Sequence, residues 1–494
     1  MNLSKSLYTK GIQCPKALWL KKYRPEVLTP PDAAAEAVFE TGNIVGDLAC
    51  KLFPEGKEVP YSENFDEMIQ TTASWLDEGL KYIYEATFSY QGILVMVDIL
   101  QIDSDGVHIY EVKSSTSLKD IYLHDISIQY YVLHNLGFHI TSAHLIHLNK
   151  EYIRKDHLVL QELFTIVDVT ADVTVLQTEI PQILEAFDRY LHDRENEPNI
   201  DIAKHCMKPY KCDAKEYCWK VQRAIPEYSI FDIFNLGSKK QQELYSQGIV
   251  RVEDIPDDFA MTQRQKEMVR LYKSKVEWID KKKIKAFLDR LSYPIYHLDF
   301  ETYQQAIPLF SGVRPFMQIP FQYSMHVEYE NKELQHYEFL AESGSDPRRA
   351  LAEKLCMDIP RDVTVLAYNM SFEKGVIEKL ALEYADLREH LMAIHDNIQD
   401  LMYPFQKRYY VTPSMQGRYS IKYVLPALVP EMQDAYKALD GIHNGSEAMN
   451  AFANLEKLPI EEQKRVRQSL LEYCKLDTLA MVKVLEKLRE AVDD

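Results

Sequence analysis

The sequence has no long apolar run. Stretches such as Ile93–Val97 are far too short to cross a bilayer, so no membrane span is expected. Met1–Lys5 leads into no such stretch either, so no signal peptide is expected. Nor is there a disulfide framework. Seven cysteines, at 14, 50, 206, 212, 218, 356 and 474, are an odd number spread over 494 residues. A soluble cytoplasmic protein is the expectation. Repeats and low-complexity tracts are missing. So is an excess of positive charge: 57 Lys and Arg against 75 Asp and Glu leave −18. That balance argues against coating nucleic acid by bulk charge, but it leaves room for an enzyme with local basic grooves.

Hydrophobic residues make up 46% of the chain and charged residues 27%, as in ordinary globular proteins. Strand-like and helix-like patterns alternate at both ends, which predicts an α/β protein. The pattern divides into residues 1–222, a mostly helical connector over 223–290, and residues 291–494.

Asp98 interrupts the apolar run Ile93–Leu100. The turn signal Asp103-Ser104-Asp105-Gly106 follows, and the chain returns through Val107–Lys113. A hairpin symmetric about that turn puts Asp98 opposite Glu111, with Lys113 on the face of Glu111. Two facing carboxylates repel unless a cation lies between them, and oxygen ligands suit Mg²⁺ or Mn²⁺. The plain alternative is an edge hairpin with solvated acids.

Glu111-Val112-Lys113 resembles the E-x-K core of PD-(D/E)xK nucleases of the RecB type, with Asp98 as the preceding acid. Gln129 and Tyr130, after Asp125, resemble that family's Q-containing helix. The resemblance implies a restriction-endonuclease-like domain in which Asp98 and Glu111 hold a divalent metal and Lys113 and Gln129 serve catalysis. Glu85 is a weaker candidate for the same site. One departure stands out. Many relatives carry a histidine in an early helix, whereas Thr41–Asp47 has none and offers Asp47 instead.

Cys206, Cys212 and Cys218 have five residues in each gap between them, and Cys14 opens a Cys-Pro pair far upstream. One early and three late cysteines resemble the iron–sulfur staple of RecB-type and CRISPR-associated nucleases. Four thiolates suit a [4Fe–4S] cluster and equally Zn²⁺. Unrelated buried cysteines are the alternative. Cys50, Cys356 and Cys474 read as packing residues.

In the last third, Asp299 and Glu301 share one face of an apolar strand. Asn369-Met370-Ser371-Phe372-Glu373 follows, and then Tyr473 and Asp477 at i, i+4 on a helical pattern. This order resembles the tyrosine-type DEDD exonucleases of the RNase H-like fold. It implies divalent metals held by Asp299, Glu301, Glu373 and Asp477, with Tyr473 orienting the attacking water. Glu373 stands where the family has Asp, and Asp400 is a further acid nearby.

Basic residues are segregated. Residues 204–223 are net +4, residues 262–290 are +6, and residues 401–430 are +4 with no acid at all. The last tract interleaves Lys407, Arg408, Arg418 and Lys422 with Tyr419 and five other aromatics. Such a composition suits a single-strand channel, though the aromatics equally suit a core. Gln247–Ile255 is weakly similar to a helix-hairpin-helix element. The whole chain resembles a bacterial fusion of the two nuclease modules. The implied activity is a metal-dependent nuclease acting on DNA, on single-stranded ends. RNA 3′-end processing and a nucleic-acid-binding scaffold with an inactive N-terminal module are the alternatives. DNA repair and defence against phage are suggested by analogy alone.

Overall fold

Period-two alternation of apolar side chains builds the first sheet. The computed structural model describes residues 2–493. It divides into two units, Met1–Ala224 with Gln305–Met317, and Ile225–Gln304 with Gln318–Asp494. The first unit contains β1 (Leu3–Ser4), β2 (Lys57–Glu58), β3 (Tyr82–Tyr90), β4 (Ile93–Asp103), β5 (Gly106–Lys113), β6 (Ile140–Leu148) and β7 (Phe164–Asp168). Their order is β2-β3-β4-β5-β6-β7, and β1 pairs with β4 in parallel. The expected hairpin is β4 and β5. Its turn places Gly106 at φ 131°, where an added Cβ would come within 2.4 Å of the His139 carbonyl. The β5–β6 pair is parallel, so the chain crosses over through the helix Asp120–Asn135.

That helix packs Ile126 and Leu133 against Val95, Val97, Ile109 and Leu145 on one sheet face. The other face buries Ile99, Ile146 and Leu148 against Val45 and Ala49 of the helix Ala33–Cys50 and against Ala306.

In the second unit, β8 (Trp278–Ile279) and β14 (Tyr410–Val411) form a ribbon. The main sheet contains β9 (Ile295–Tyr303), β10 (Ile319–Glu328), β11 (Leu334–Leu340), β12 (Thr364–Ala367) and β13 (Ile398–Asp400). Its order is β11-β10-β9-β12-β13. The first three strands are antiparallel, and β12 and β13 run parallel to β9. Helices Arg348–Asp358 and Ser371–Glu383 cover one face through Leu351, Leu355 and Ile377. The helix Ile460–Asp493 packs along β9 and β10. Residues 225–290, expected as a connector, group with this unit and hold a small core around Ile230, Leu244 and Val269.

The protein is therefore mixed α/β, with helices layered on two main sheets. Among the described residues no helix is long and apolar enough to cross a membrane.

Candidate functional site

The strand register builds the first centre. Tyr84 pairs with Ile99 and Ala86 with Val97, so Glu85 stands across from Asp98. Ile99 pairs with Tyr110, so Asp98 stands across from Glu111. Three acids thus occupy one row over β3, β4 and β5. Like charges directly opposite one another destabilise a sheet, so the row needs cations and donors. Asp98 Oδ2 accepts the Val112 N–H at 2.7 Å. Lys113 Nζ donates to Glu111 Oε1 at 2.6 Å and to Asp125 Oδ2 at 2.5 Å. Gln129 Nε2 donates to Glu111 Oε2 at 2.7 Å. Lys5 Nζ lies 3.2 Å from Asp98 Oδ1 and 3.0–3.1 Å from both oxygens of Glu111.

These surroundings separate the carboxyls. Burial opposes the charge on Glu111, but Lys113, Lys5 and the hydrogen bonds from Lys113 and Gln129 hold it well below the usual carboxylate range. Burial and the Asp98 charge push Glu85 up to about 7. Burial and the Glu111 charge push Asp125 up to about 6. Asp125 Oδ1 and Gln129 Oε1 are buried with no hydrogen-bond partner. Such orphaned acceptors beside clustered carboxylates fit a site that takes a cation. The row opens into a cavity of about 1510 Å³, also lined by Asp47, Tyr122 and Tyr210.

The second centre lies on β9. Carboxylate oxygens of Asp299, Glu301 and Asp477 all fall within 4.8 Å of one another. Tyr473 and Cys474 flank them from the helix that carries Asp477 and are themselves buried. Burial, then the Asp477 charge, raises Glu301 to about 8, and burial raises Asp477 to about 6. Asp299 is pushed well above its ordinary value by burial and by Asp477, Glu301 and Glu373. Glu373 is 2% exposed and raised by burial to about 8, and its Oε2 has no partner. Clustered acids of this kind, with Asp299 and Asp477 half-buried and Glu301 and Glu373 buried, fit divalent cations. Asp400 instead accepts the Asn369 and Met402 N–H groups at 3.0 and 2.9 Å, and so shapes the β13 turn.

Cys14, Cys206, Cys212 and Cys218 line one narrow cavity. Gln13 draws the two ends of the unit together by donating to the carbonyls of His205 and Tyr210 at 2.8 and 2.7 Å. Lys10 pairs with Asp213 at 2.7 Å. Burial raises Cys212 to about 12 and Cys218 to about 11, so without a metal these are neutral thiols. The thiols are not drawn tightly together. Among the described residues, the set of three metal-ligand atoms within 4.8 Å is the Asp299, Glu301 and Asp477 group.

Several cations of the basic tract have partners within the fold. Arg418 pairs with Asp232 at 2.6 Å and lies over the Tyr423 ring. Arg408 donates to the Arg264 carbonyl at 2.8 Å and meets Glu267. Tyr419 packs edge-on against Phe234. Lys407 lies over Tyr403, and Lys422 lines the cavity that holds Glu301. Two of the four cations therefore hold the fold together.

Lys5 and Tyr436 were not identified from the sequence motifs. Lys5 opens the helix Lys5–Gln13, whose first turn has no acid, and a cation there opposes the helix dipole. That misplaced charge is a readable signal. Tyr436, whose hydroxyl donates to Asp477 Oδ1 at 2.5 Å, carries no such signal.

The family described as Domain of unknown function (DUF2779) matches residues 296–420. The matched span holds Asp299, Glu301, Glu373 and Asp400 but ends before Tyr473 and Asp477. The "Uncharacterized protein MG366 homolog" of Mycoplasma pneumoniae is 25% identical over 232 residues, covering 42% of this chain and 35% of the relative. This chain thus spans about a third of that relative's length. No solved structure matches the chain.

Proposed function

We propose that the protein is a metal-dependent nuclease with two acidic centres, hydrolysing phosphodiester bonds of DNA, chiefly from single-stranded ends. One observation carries this reading: Asp299, Glu301 and Asp477 converge within 4.8 Å while raised, buried Glu373 has an orphaned oxygen. Three converging acids beside a buried fourth have no ordinary structural use. The E-x-K hairpin supports a restriction-endonuclease-like first unit, and the acids on central β9 support an RNase H-like second unit.

Divalent ions bound there would polarise the phosphate and lower the pKa of the attacking water. The chain's own groups do the rest. Lys113, held between Glu111 and Asp125, is poised to meet charge developing on a phosphate oxygen. The Tyr473 hydroxyl, raised far above its ordinary range by burial and then by Asp477, keeps its proton and can hold a water by hydrogen bonding.

The test is cleavage of labelled single- and double-stranded DNA and RNA with Mg²⁺ or Mn²⁺. Wild type is compared with Asp299→Ala, Glu111→Ala and the double variant. We expect Asp299→Ala to abolish exonucleolytic release. Wild type that cuts no substrate with either metal overturns the enzyme reading. Faster turnover of RNA than DNA makes the protein an RNA 3′-end exonuclease. An unaffected Glu111→Ala makes the first unit a scaffold.

The four cysteines are proposed to hold a [4Fe–4S] cluster that ties the ends of the first unit together. What supports it is that all four cysteines line one narrow cavity. Protein purified without oxygen should be brown and lose its colour in Cys14→Ser. Colourless protein with one Zn²⁺ per chain would favour zinc.

A further inference from the structure

Lys5 is the least expected member of the first centre. Its backbone is fixed by the site itself, because β1 pairs Leu3 and Ser4 with Ile93 and Leu94 of β4, the strand that bears Asp98. Ser4 caps the helix that follows by accepting the Leu7 N–H. The lysine is therefore delivered to the acids by two independent local structures. Its single nitrogen is met by three oxygens from two carboxylates at 3.0–3.2 Å. Lys113, by contrast, contacts Glu111 and Asp125 and flanks the pair. A lysine in the first helical turn opposes the dipole, and a local rule broken at a site signals use there.

We infer that Lys5 is a built-in counter-cation, filling the position between Asp98 and Glu111 until a divalent ion displaces it. The inference rests on reading Asp98 and Glu111 as metal ligands. Mg²⁺ binds oxygen at roughly 2.0–2.1 Å and demands near-ideal geometry. The oxygens that such an ion would take are those that Lys5 now holds. The two cations cannot share them, so entry of the ion requires the ammonium to leave. The side chain has somewhere to go. It is 22% exposed and borders the cavity of about 1510 Å³. In that cavity a displaced Lys5 would face whatever polyanion the cavity receives. The arrangement has two consequences. The metal-free fold is spared the repulsion of facing acids, and the first centre loads only at metal concentrations high enough to outcompete its own lysine.

The test uses the full chain carrying Asp299→Asn and Asp477→Asn, which silences the second centre. Mn²⁺ alone is titrated calorimetrically, and melting is followed in EDTA and in Mn²⁺. Lys5→Met keeps the length of the side chain and removes its charge. We expect it to bind Mn²⁺ on the order of tenfold tighter than Lys5, since charge-assisted hydrogen bonds no longer compete. We also expect its melting to fall in EDTA and recover in Mn²⁺, while Lys5→Arg binds no tighter than Lys5. Mn²⁺ binding that is unchanged or weaker in Lys5→Met overturns the inference alone. A Lys5→Met chain that stays unfolded in millimolar Mn²⁺ also overturns it, because the lysine is then a structural partner that metal cannot replace. Absence of Mn²⁺ binding in every variant overturns the metal reading of this centre, and the inference with it.

Discussion

Glu85 lies close enough to Asp98 on the adjacent strand for that charge to help raise its pKa, and its backbone stands at φ 53°, in the left-handed region that a glutamate rarely adopts. Strain of this kind, spent to bring two acids together, is found at functional sites. Replacing Glu85 with Gln removes one like charge from the row. We expect the metal-free protein to gain up to about 1 kcal/mol, the scale of a cross-strand pair. We expect Mn²⁺ binding at the first centre to weaken at the same time. Melting curves in EDTA and in Mn²⁺ read both effects, and a parallel shift in the two would refute the opposition.

The second centre predicts an inverted pH dependence. Glu301 and Glu373 hold their protons to about 8 and Asp477 to about 6, all because of burial. In the unfolded chain these carboxyls lose them near pH 4. Between those limits the folded state binds more protons than the unfolded state, so stability falls as pH rises. The penalty is absent below about pH 4 and complete above about pH 8. In EDTA, melting of the second unit should therefore drop from pH 5.5 to 8.5, and Mn²⁺ should restore most at the alkaline end. Glu301→Gln should flatten the slope.

Tyr436 and Tyr473 both hydrogen-bond to Asp477 and lower its pKa. The Tyr436 hydroxyl donates to Oδ1 at 2.5 Å, and its hydrogen bond lowers the Asp477 pKa against the burial that raises it. Tyr436→Phe should destabilise the metal-free protein by about 1–2 kcal/mol, as loss of a hydrogen bond to a charged group does. It should also weaken Mn²⁺ binding more at pH 6 than at pH 8. Tyr473→Phe should reduce cleavage and also weaken Mn²⁺ binding more at pH 6 than at pH 8, since its hydroxyl lowers the Asp477 pKa too. A pH-independent loss in Tyr436→Phe would refute its electrostatic part.

The two centres were legible to different depths. Asp98, Glu111 and Lys113 could be read because a tight turn fixes strand register, and register fixes which side chains face each other. Asp299 and Glu301 could be read because a strand alternates, and Asp477 with Tyr473 because a helix repeats every three to four residues. Glu85 was only weakly indicated, since its alignment with Asp98 depends on a second hairpin and an unusual φ. Lys5 and Tyr436 reach their acids across 106 and 41 residues, through tertiary packing that no local period encodes. The cations of residues 401–430 were only partly legible for a related reason. Sequence shows charge, but not which charges are neutralised by residues such as Asp232, 186 positions away.

Those ion pairs yield a prediction separating Arg418 from Lys422. Arg418 and Arg408 are committed to Asp232 and to Glu267 with the Arg264 carbonyl, and Arg418 is about one-third exposed. Arg418→Ala should cost about 1 kcal/mol of stability, a value discounted for that exposure. It should leave the salt dependence of DNA binding unchanged, because a cation already paired releases no counterion from a phosphate. Lys422 borders the cavity of Glu301, and its charge lowers the Asp477 pKa. Lys422→Ala should weaken single-strand binding several-fold and reduce the salt slope by roughly 0.7, the value for one single-strand phosphate contact. Binding to a labelled oligonucleotide at several salt concentrations, in Ca²⁺ to prevent cleavage, separates the two. If Arg418→Ala lowers the slope and Lys422→Ala does not, the strand meets the unit through the tract around Arg418, and the ion pair with Asp232 must open to receive it.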